Sequence, residues 1–200
     1  MGAPPAKADI IAQACTALET GGPDAARDIL CSGYPFQPQS RAGRKYTLTQ
    51  CTRIFLRDGF VDRYSGERLV FPGALRVLSL VCPDAFPYHK NGKTDVGHFA
   101  WWELFPSIDH VVPVTRGGTD DESNWVTTSM LRNSAKQLWT LEELGWTLHP
   151  PGDLSEWDGQ IRWFCRFMES AHHPHIDRTL QYLRDCHRAA TSALDRKQAV

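Results

Sequence analysis

The chain has 200 residues, 42% of them hydrophobic, and carries 22 Lys and Arg against 23 Asp and Glu for a formal net charge of −1. That length and apolar content suit one good core, or one core plus a helical appendage, and exclude a disordered chain. Near-neutrality excludes a protein that grips nucleic acid by bulk electrostatics, although charge can still be concentrated locally. No run approaches the roughly 18 uncharged apolar residues of a membrane span, and Lys7 and Asp9 interrupt the N-terminal stretch, so the expected setting is cytoplasmic with no membrane partner. Six cysteines, Cys15, Cys31, Cys51, Cys82, Cys165 and Cys186, form no close pair; reduced thiols are expected rather than a zinc knuckle or a disulfide framework.

In chain order, Ile10, Ile11, Ala14 and Leu18, then Ala25, Ile29 and Leu30 after a Gly21-Gly22-Pro23 break, predict two short helices up to about Ser32. Residues 34 to 44 hold Pro35, Pro38 and Gly43 without periodicity and read as a linker. Thr47 or Thr49 caps a helix running to Asp58-Gly59. Phe60 to Tyr64 and Arg68 to Phe71 flank Ser65-Gly66 as two short strands, and a helix follows from Ala74 to Val81. The stretch from Pro83 to Pro106 reads as irregular structure plus a strand.

Between Arg41 and Arg76, eight basic residues (Arg41, Arg44, Lys45, Arg53, Arg57, Arg63, Arg68, Arg76) face three acidic ones (Asp58, Asp62, Glu67). Such a run is either a solvated surface or a track for phosphates, with Arg53 and Arg57 as candidate contacts.

Pro106 to Pro113 predicts a strand closed by proline, Gly117-Gly118-Thr119-Asp120 a loop, and Trp125 to Thr128 the returning strand. A helix follows over Ser129 to Leu138. Its Leu131, Ala135 and Leu138 share one face, which leaves Asn133 and Lys136 on another. Thr140 and Glu143 have the spacing of a capping box for a further short helix ending at Gly145. Beyond Pro150-Pro151-Gly152, helices are expected over Ser155 to Ser170 and Asp177 to Leu194, separated by His172-His173-Pro174-His175, whose spacing fits no zinc template. The domains implied are a helical segment and linker at 1–44, a core at 45–150 and a C-terminal helical segment at 151–200.

The chemistry concentrates in Asp109-His110, Asn124 and Asn133. An unperturbed imidazole titrates near about pH 6.5, so His110 is suited to take a proton from water at neutral pH. Asp109 and Asn133 offer hard oxygen donors, which suit Mg²⁺ or Mn²⁺ rather than a closed tetrahedral zinc site. Adjacent strand residues point to opposite faces, so Asp109 and His110 need not share a task. Asn124 is positioned to hydrogen-bond across the Gly117-Gly118 loop and hold the backbone bearing the histidine. For Arg116 and Lys136, phosphate clamps and solvated charges both stand open. His98 is an accessory candidate, with a structural role favoured. Of Trp101, Trp102, Trp125, Trp139 and Trp146, most are expected in the core, with base stacking the other possibility.

From Ile108 to Lys136 this pattern resembles the HNH, or ββα-metal, endonucleases: Asp-His, a Gly-Gly loop, Asn, and a helix bearing His or Asn followed by Lys. Asn133 makes it the Asn-ending variant. The resemblance implies a mostly helical α+β fold with a central ββα-metal motif wrapped by N- and C-terminal helices. It also implies metal ligands at Asp109 and Asn133, a general base at His110, and DNA cleaved to 5′-phosphate and 3′-hydroxyl ends. A binding module without turnover and an RNA endonuclease are the alternatives. Many members carry two CxxC pairs around a structural zinc; the matching slots here, residues 62–66 and 129–133, hold no cysteine, so no structural zinc is expected and ordinary packing is expected to support the motif.

Overall fold

The structure is a computed structural model and describes residues 6–36, 46–170 and 180–198. The chain is α+β and mostly helical, and it divides into two units, Met1–Ala42 and Gly43–Val200. Part of the 34 to 44 linker, Arg41, Arg44, Lys45 and the histidines at 172, 173 and 175 lie outside the described residues. Among the described residues no helix is long and apolar enough to cross a membrane.

In the first unit, α1 (Lys7–Gly33) comprises two helical arms around Gly22, whose φ of 78° and ψ of −172° break the helix before Pro23. Glycine tolerates that left-handed φ, and proline cannot continue the hydrogen-bond ladder.

The second unit is built on α2 (Leu48–Arg57), α3 (Pro72–Val81), α7 (Ile161–Glu169) and α8 (Gln181–Gln198), whose apolar faces meet through Phe55, Leu56, Val77, Phe164, Leu183 and Cys186. The C-terminal helices are therefore part of the same core as α2 and α3. Thr47 closes the capping box on α2: its backbone N–H reaches Gln50 Oε1 at 2.9 Å and its hydroxyl accepts from Gln50 N at 3.2 Å.

Between α2 and α3 the expected hairpin reduces to a single antiparallel bridge, Val61 to Arg68. The second arm leaves at once because Val70 N bonds Leu104 O and Phe71 N bonds Gly159 O, drawing the Phe71 ring into the core. The 83–105 stretch contains a short helix, α4 (Ala100–Glu103), and no strand among the described residues. Trp101 and Trp102 spend their indole N–H groups on Pro87 O and Gly92 O, tying that loop to α4.

Among the described residues the sheet pairs β1 (Pro106–His110) with β2 (Trp125–Ser129), antiparallel, with Asp109 opposite Val126 and His110 opposite Trp125. β2 leads directly into α5 (Met130–Lys136), capped by the Ser129 hydroxyl accepting from Arg132 N at 3.1 Å. α6 (Leu141–Leu144) follows with the Thr140–Glu143 capping box. The start of α7 is later than periodicity predicts. Asp153 and Asp158 hold turns by accepting from Ser155 N and Gln160 N, and Gly159 and Gln160 adopt left-handed φ.

Among the described residues no strand pairs with the outer edge of β2, and buried side chains satisfy that edge instead. Asp58 Oδ2 accepts from Thr127 N at 2.7 Å, and Asp62 Oδ2 accepts from Ser129 N at 2.9 Å. Arg63 N donates to Thr127 O, and Arg57 Nη2 donates to Trp125 O. Asp62 also accepts from Thr128 Oγ1 and Tyr64 N, so one buried carboxylate joins the 62–66 turn to the 129–133 helix start. Packing around residues 62–66 and 129–133 is thus supplemented by hydrogen-bonded charge.

Candidate active site

The loop between the strands is held by Asn124. Its Oδ1 accepts from Val112 N at 2.9 Å, and its Nδ2 donates to Val112 O and Thr119 O, both at 2.8 Å. The two glycines have separate reasons. Gly117 has φ 90°, a left-handed value, whereas a Cβ on Gly118 would lie 1.9 Å from Val112 O and 2.8 Å from Asn124 Nδ2. The amide and the second glycine therefore fit only as a pair, and together they fix the backbone that follows His110.

His110 is buried at the end of β1, with Nε2 2.7 Å from Asp120 Oδ1. Trp125 Nε1–H lies 3.1 Å from the same nitrogen and 3.2 Å from Asp120 Oδ1, and the Tyr46 hydroxyl donates to Asp120 Oδ1 at 3.3 Å. These hydrogen bonds, led by that of His110, hold the Asp120 carboxyl below the usual carboxylate range. Nδ1 of His110 has no hydrogen-bond partner among the described residues.

Asp109 turns the other way, toward α5. Its Oδ2 accepts from Tyr64 OH at 2.7 Å and from Lys136 Nζ at 2.9 Å. Burial, reinforced by the Asp109 charge, raises the Tyr64 phenol far above its ordinary value, so it remains a donor. Lys136 has no solvent exposure, and its ammonium also donates to His110 O at 2.7 Å. Asn133, one turn earlier, donates from Nδ2 to Ser107 Oγ and Ile108 O. These bonds dock α5 on β1 by polar contacts. Oδ1 of Asp109 and Oδ1 of Asn133 have no hydrogen-bond partner among the described residues.

Lys136, for which a phosphate clamp and a solvated charge both stood open, is placed inside the protein, its ammonium fully buried as the counter-ion of Asp109. The face of α5 is also inverted: Leu131 and Ala135 are exposed while Lys136 faces inward, and the helix ends at Lys136, short of the exposed Leu138. Apolar spacing predicts the inward face only when the neighbour is apolar, and β1 presents a carboxylate and a carbonyl.

The other expected cations are engaged within the protein. Arg53 pairs with Glu122. Arg57 donates to Asp58, Glu122 O and Trp125 O. Arg116 pairs with Glu143 at 2.9 Å. His98 accepts from Ala100 N and stacks on Phe86, which is a structural role at the start of α4. Trp125 is buried and Trp139 is half exposed. Asp120, Tyr46 and Tyr64 belong to the site but carry no motif signal; only Asp120, two residues past the glycine pair, had a local clue.

Among the described residues no three His, Cys, Asp or Glu side chains converge as a metal cluster. The donors available are one carboxylate and one amide oxygen, a set that fits a hard cation whose remaining positions fall to water and phosphate. Comparison with protein-family models, with curated proteins and with solved structures finds no match to this chain.

Proposed function

We propose that this protein is a Mg²⁺- or Mn²⁺-dependent endonuclease of the HNH, ββα-metal type that hydrolyses phosphodiester bonds in DNA. One observation carries the reading: His110 Nδ1, Asp109 Oδ1 and Asn133 Oδ1, on adjoining β1 and α5, lack hydrogen-bond partners among the described residues, whereas the rest of the motif is bonded. A base nitrogen and two hard oxygens left open in one small unit are what in-line hydrolysis requires.

Asp109 and Asn133 are the residues that would hold the cation, which when bound supplies positive charge against the phosphate oxygens and the leaving oxygen. His110 accepts a proton from water. The oxygen of that water forms the new bond to phosphorus as the P–O3′ bond breaks, and the departing O3′ takes a proton from solvent water, leaving a 5′-phosphate and a 3′-hydroxyl. Asn124 keeps the His110 strand end in place, and Lys136 with Tyr64 fixes the Asp109 carboxylate. A binding module without turnover has less support, since Arg53, Arg57 and Arg116 already pair with acidic residues.

The test is cleavage of plasmid DNA and of a matched RNA with Mg²⁺, Mn²⁺ and EDTA, with end mapping. Metal-dependent DNA cleavage that His110→Ala removes is the expected result. Equal cleavage by His110→Ala rules the assignment out, and cleavage of RNA alone moves the substrate class.

A further inference from the structure

We infer that Asp120 is the positioning residue for His110, holding the imidazole in its Nε2–H tautomer so that Nδ1 is the atom that takes the proton. The inference rests on the nuclease reading for the identity of the reaction, and on geometry alone for the pairing.

An ionised carboxylate only accepts hydrogen bonds. At 2.7 Å from Asp120 Oδ1, a bare Nε2 lone pair would meet a second acceptor with no proton between them; with the proton on Nε2 the contact is a short charge-assisted hydrogen bond. The indole N–H of Trp125, 3.1 Å from Nε2 and 3.2 Å from Asp120 Oδ1, and the Tyr46 hydroxyl, 3.4 Å from Nε2 and 3.3 Å from Oδ1, reach both atoms of this pair; with the proton on Nε2 both donate to Oδ1, which then collects three donors in all. Trp125 also meets the imidazole edge-on, ring centroids 6.3 Å apart at 82°, which restrains rotation of the ring. A neutral imidazole with Nε2 protonated has its lone pair on Nδ1, the nitrogen with no hydrogen-bond partner among the described residues. Proton transfer from water to Nδ1 produces an imidazolium whose second N–H already faces a carboxylate. Asp120 touches neither phosphate nor cation in this arrangement; it acts through His110.

Asp120 lies on a loop with its side chain 43% exposed, so substitutions there leave the core intact. Asp120→Asn offers an amide N–H to Nε2 and favours the wrong tautomer. In a serine-protease triad the equivalent change lowers kcat about 10⁴-fold. Here kcat on a defined oligonucleotide is expected to fall about 100-fold or more, with KM and the metal midpoint within about threefold, and Asp120→Glu is expected to recover much of the loss. Long-range ¹H–¹⁵N spectra at pH 8 should show His110 as Nε2–H in the native protein and as a mixture in Asp120→Ala. An Nδ1–H tautomer in the native protein overturns the inference, as does an Asp120→Asn kcat within threefold of native or a loss confined to KM. A native chain that keeps the Nε2–H tautomer but cleaves nothing overturns the nuclease reading alone.

Discussion

Replacing Lys136 by Met separates the structural and chemical sides of the site. Methionine keeps an unbranched apolar stem but removes the ammonium, leaving His110 O without that donor and Asp109 Oδ2 with Tyr64 OH as its remaining partner among the described residues. Breaking one side of a buried ion pair costs about 3–5 kcal/mol. For a unit of this size, roughly 2–4 °C of Tm per kcal/mol, the metal-free variant should melt about 6–20 °C below native. The same change removes a positive charge from beside the carboxylate proposed to hold the cation. Between a unit charge and a dication roughly 5 Å apart, repulsion is about 1.7 kcal/mol even at the dielectric of water, enough for more than tenfold tighter binding. Thermal melts across a Mn²⁺ titration should therefore show a deeper loss without metal and a larger, earlier recovery with it. A metal-free Tm within about 3 °C of native would refute the ion pair's structural weight. A Mn²⁺-induced rise no greater than native would refute Asp109 as a ligand.

Asp62→Ala removes the acceptor shared by Tyr64 N, Thr128 Oγ1 and Ser129 N and should cost about 3 kcal/mol or more in urea unfolding, since donors left unsatisfied in the interior carry their full desolvation penalty. A loss under about 1 kcal/mol would show that water replaces the carboxylate there. Asn124→Ala deletes three hydrogen bonds to the glycine loop, roughly 1 kcal/mol each, and Gly118→Ala pushes a methyl against Val112 O. Both should lower cleavage more than about tenfold while α2, α3, α7 and α8 keep their helical circular dichroism; unaffected cleavage would separate the loop from His110. Burial pushes the Cys165 thiol up to about 11 and that of Cys186 up to about 12. Their folded values lie above the unfolded one, so the stability they contribute is complete below the unfolded thiol pKa and is lost as pH rises toward the folded values. Alkaline unfolding setting in above about pH 9 should weaken in Cys186→Ala, and iodoacetamide at pH 8 should label Cys15, Cys31 and Cys82 well before Cys165 or Cys186.

What could be read along the chain was whatever is decided within a few residues. The cap of α2 at Thr47 or Thr49, the capping box at Thr140, the helix break at Gly22-Pro23 and the strand-loop-strand order around Gly117-Gly118 depend on local dihedral preferences and short-range hydrogen bonds. Asn124 belongs with them, because its partners Val112 and Thr119 lie twelve and five residues away. The tertiary structure decided everything that turns on what lies opposite. Residues 60–71 fail to pair as strands because Phe71 is drawn to the core, and α7 starts late because its predicted first turn is spent on Asp153 and Asp158 turns. Asp58 and Asp62 read as ordinary acids in a basic run until β2 arrives more than sixty residues later and presents an unpaired edge. Lys136 reads as a surface cation at helical spacing, and only the approach of Asp109 and His110 O makes burial of its charge favourable. Residue type and spacing determine which groups are capable of chemistry. Which of them are consumed as structure, and which stay open, depends on the electrostatic partners that folding brings within about 3 Å.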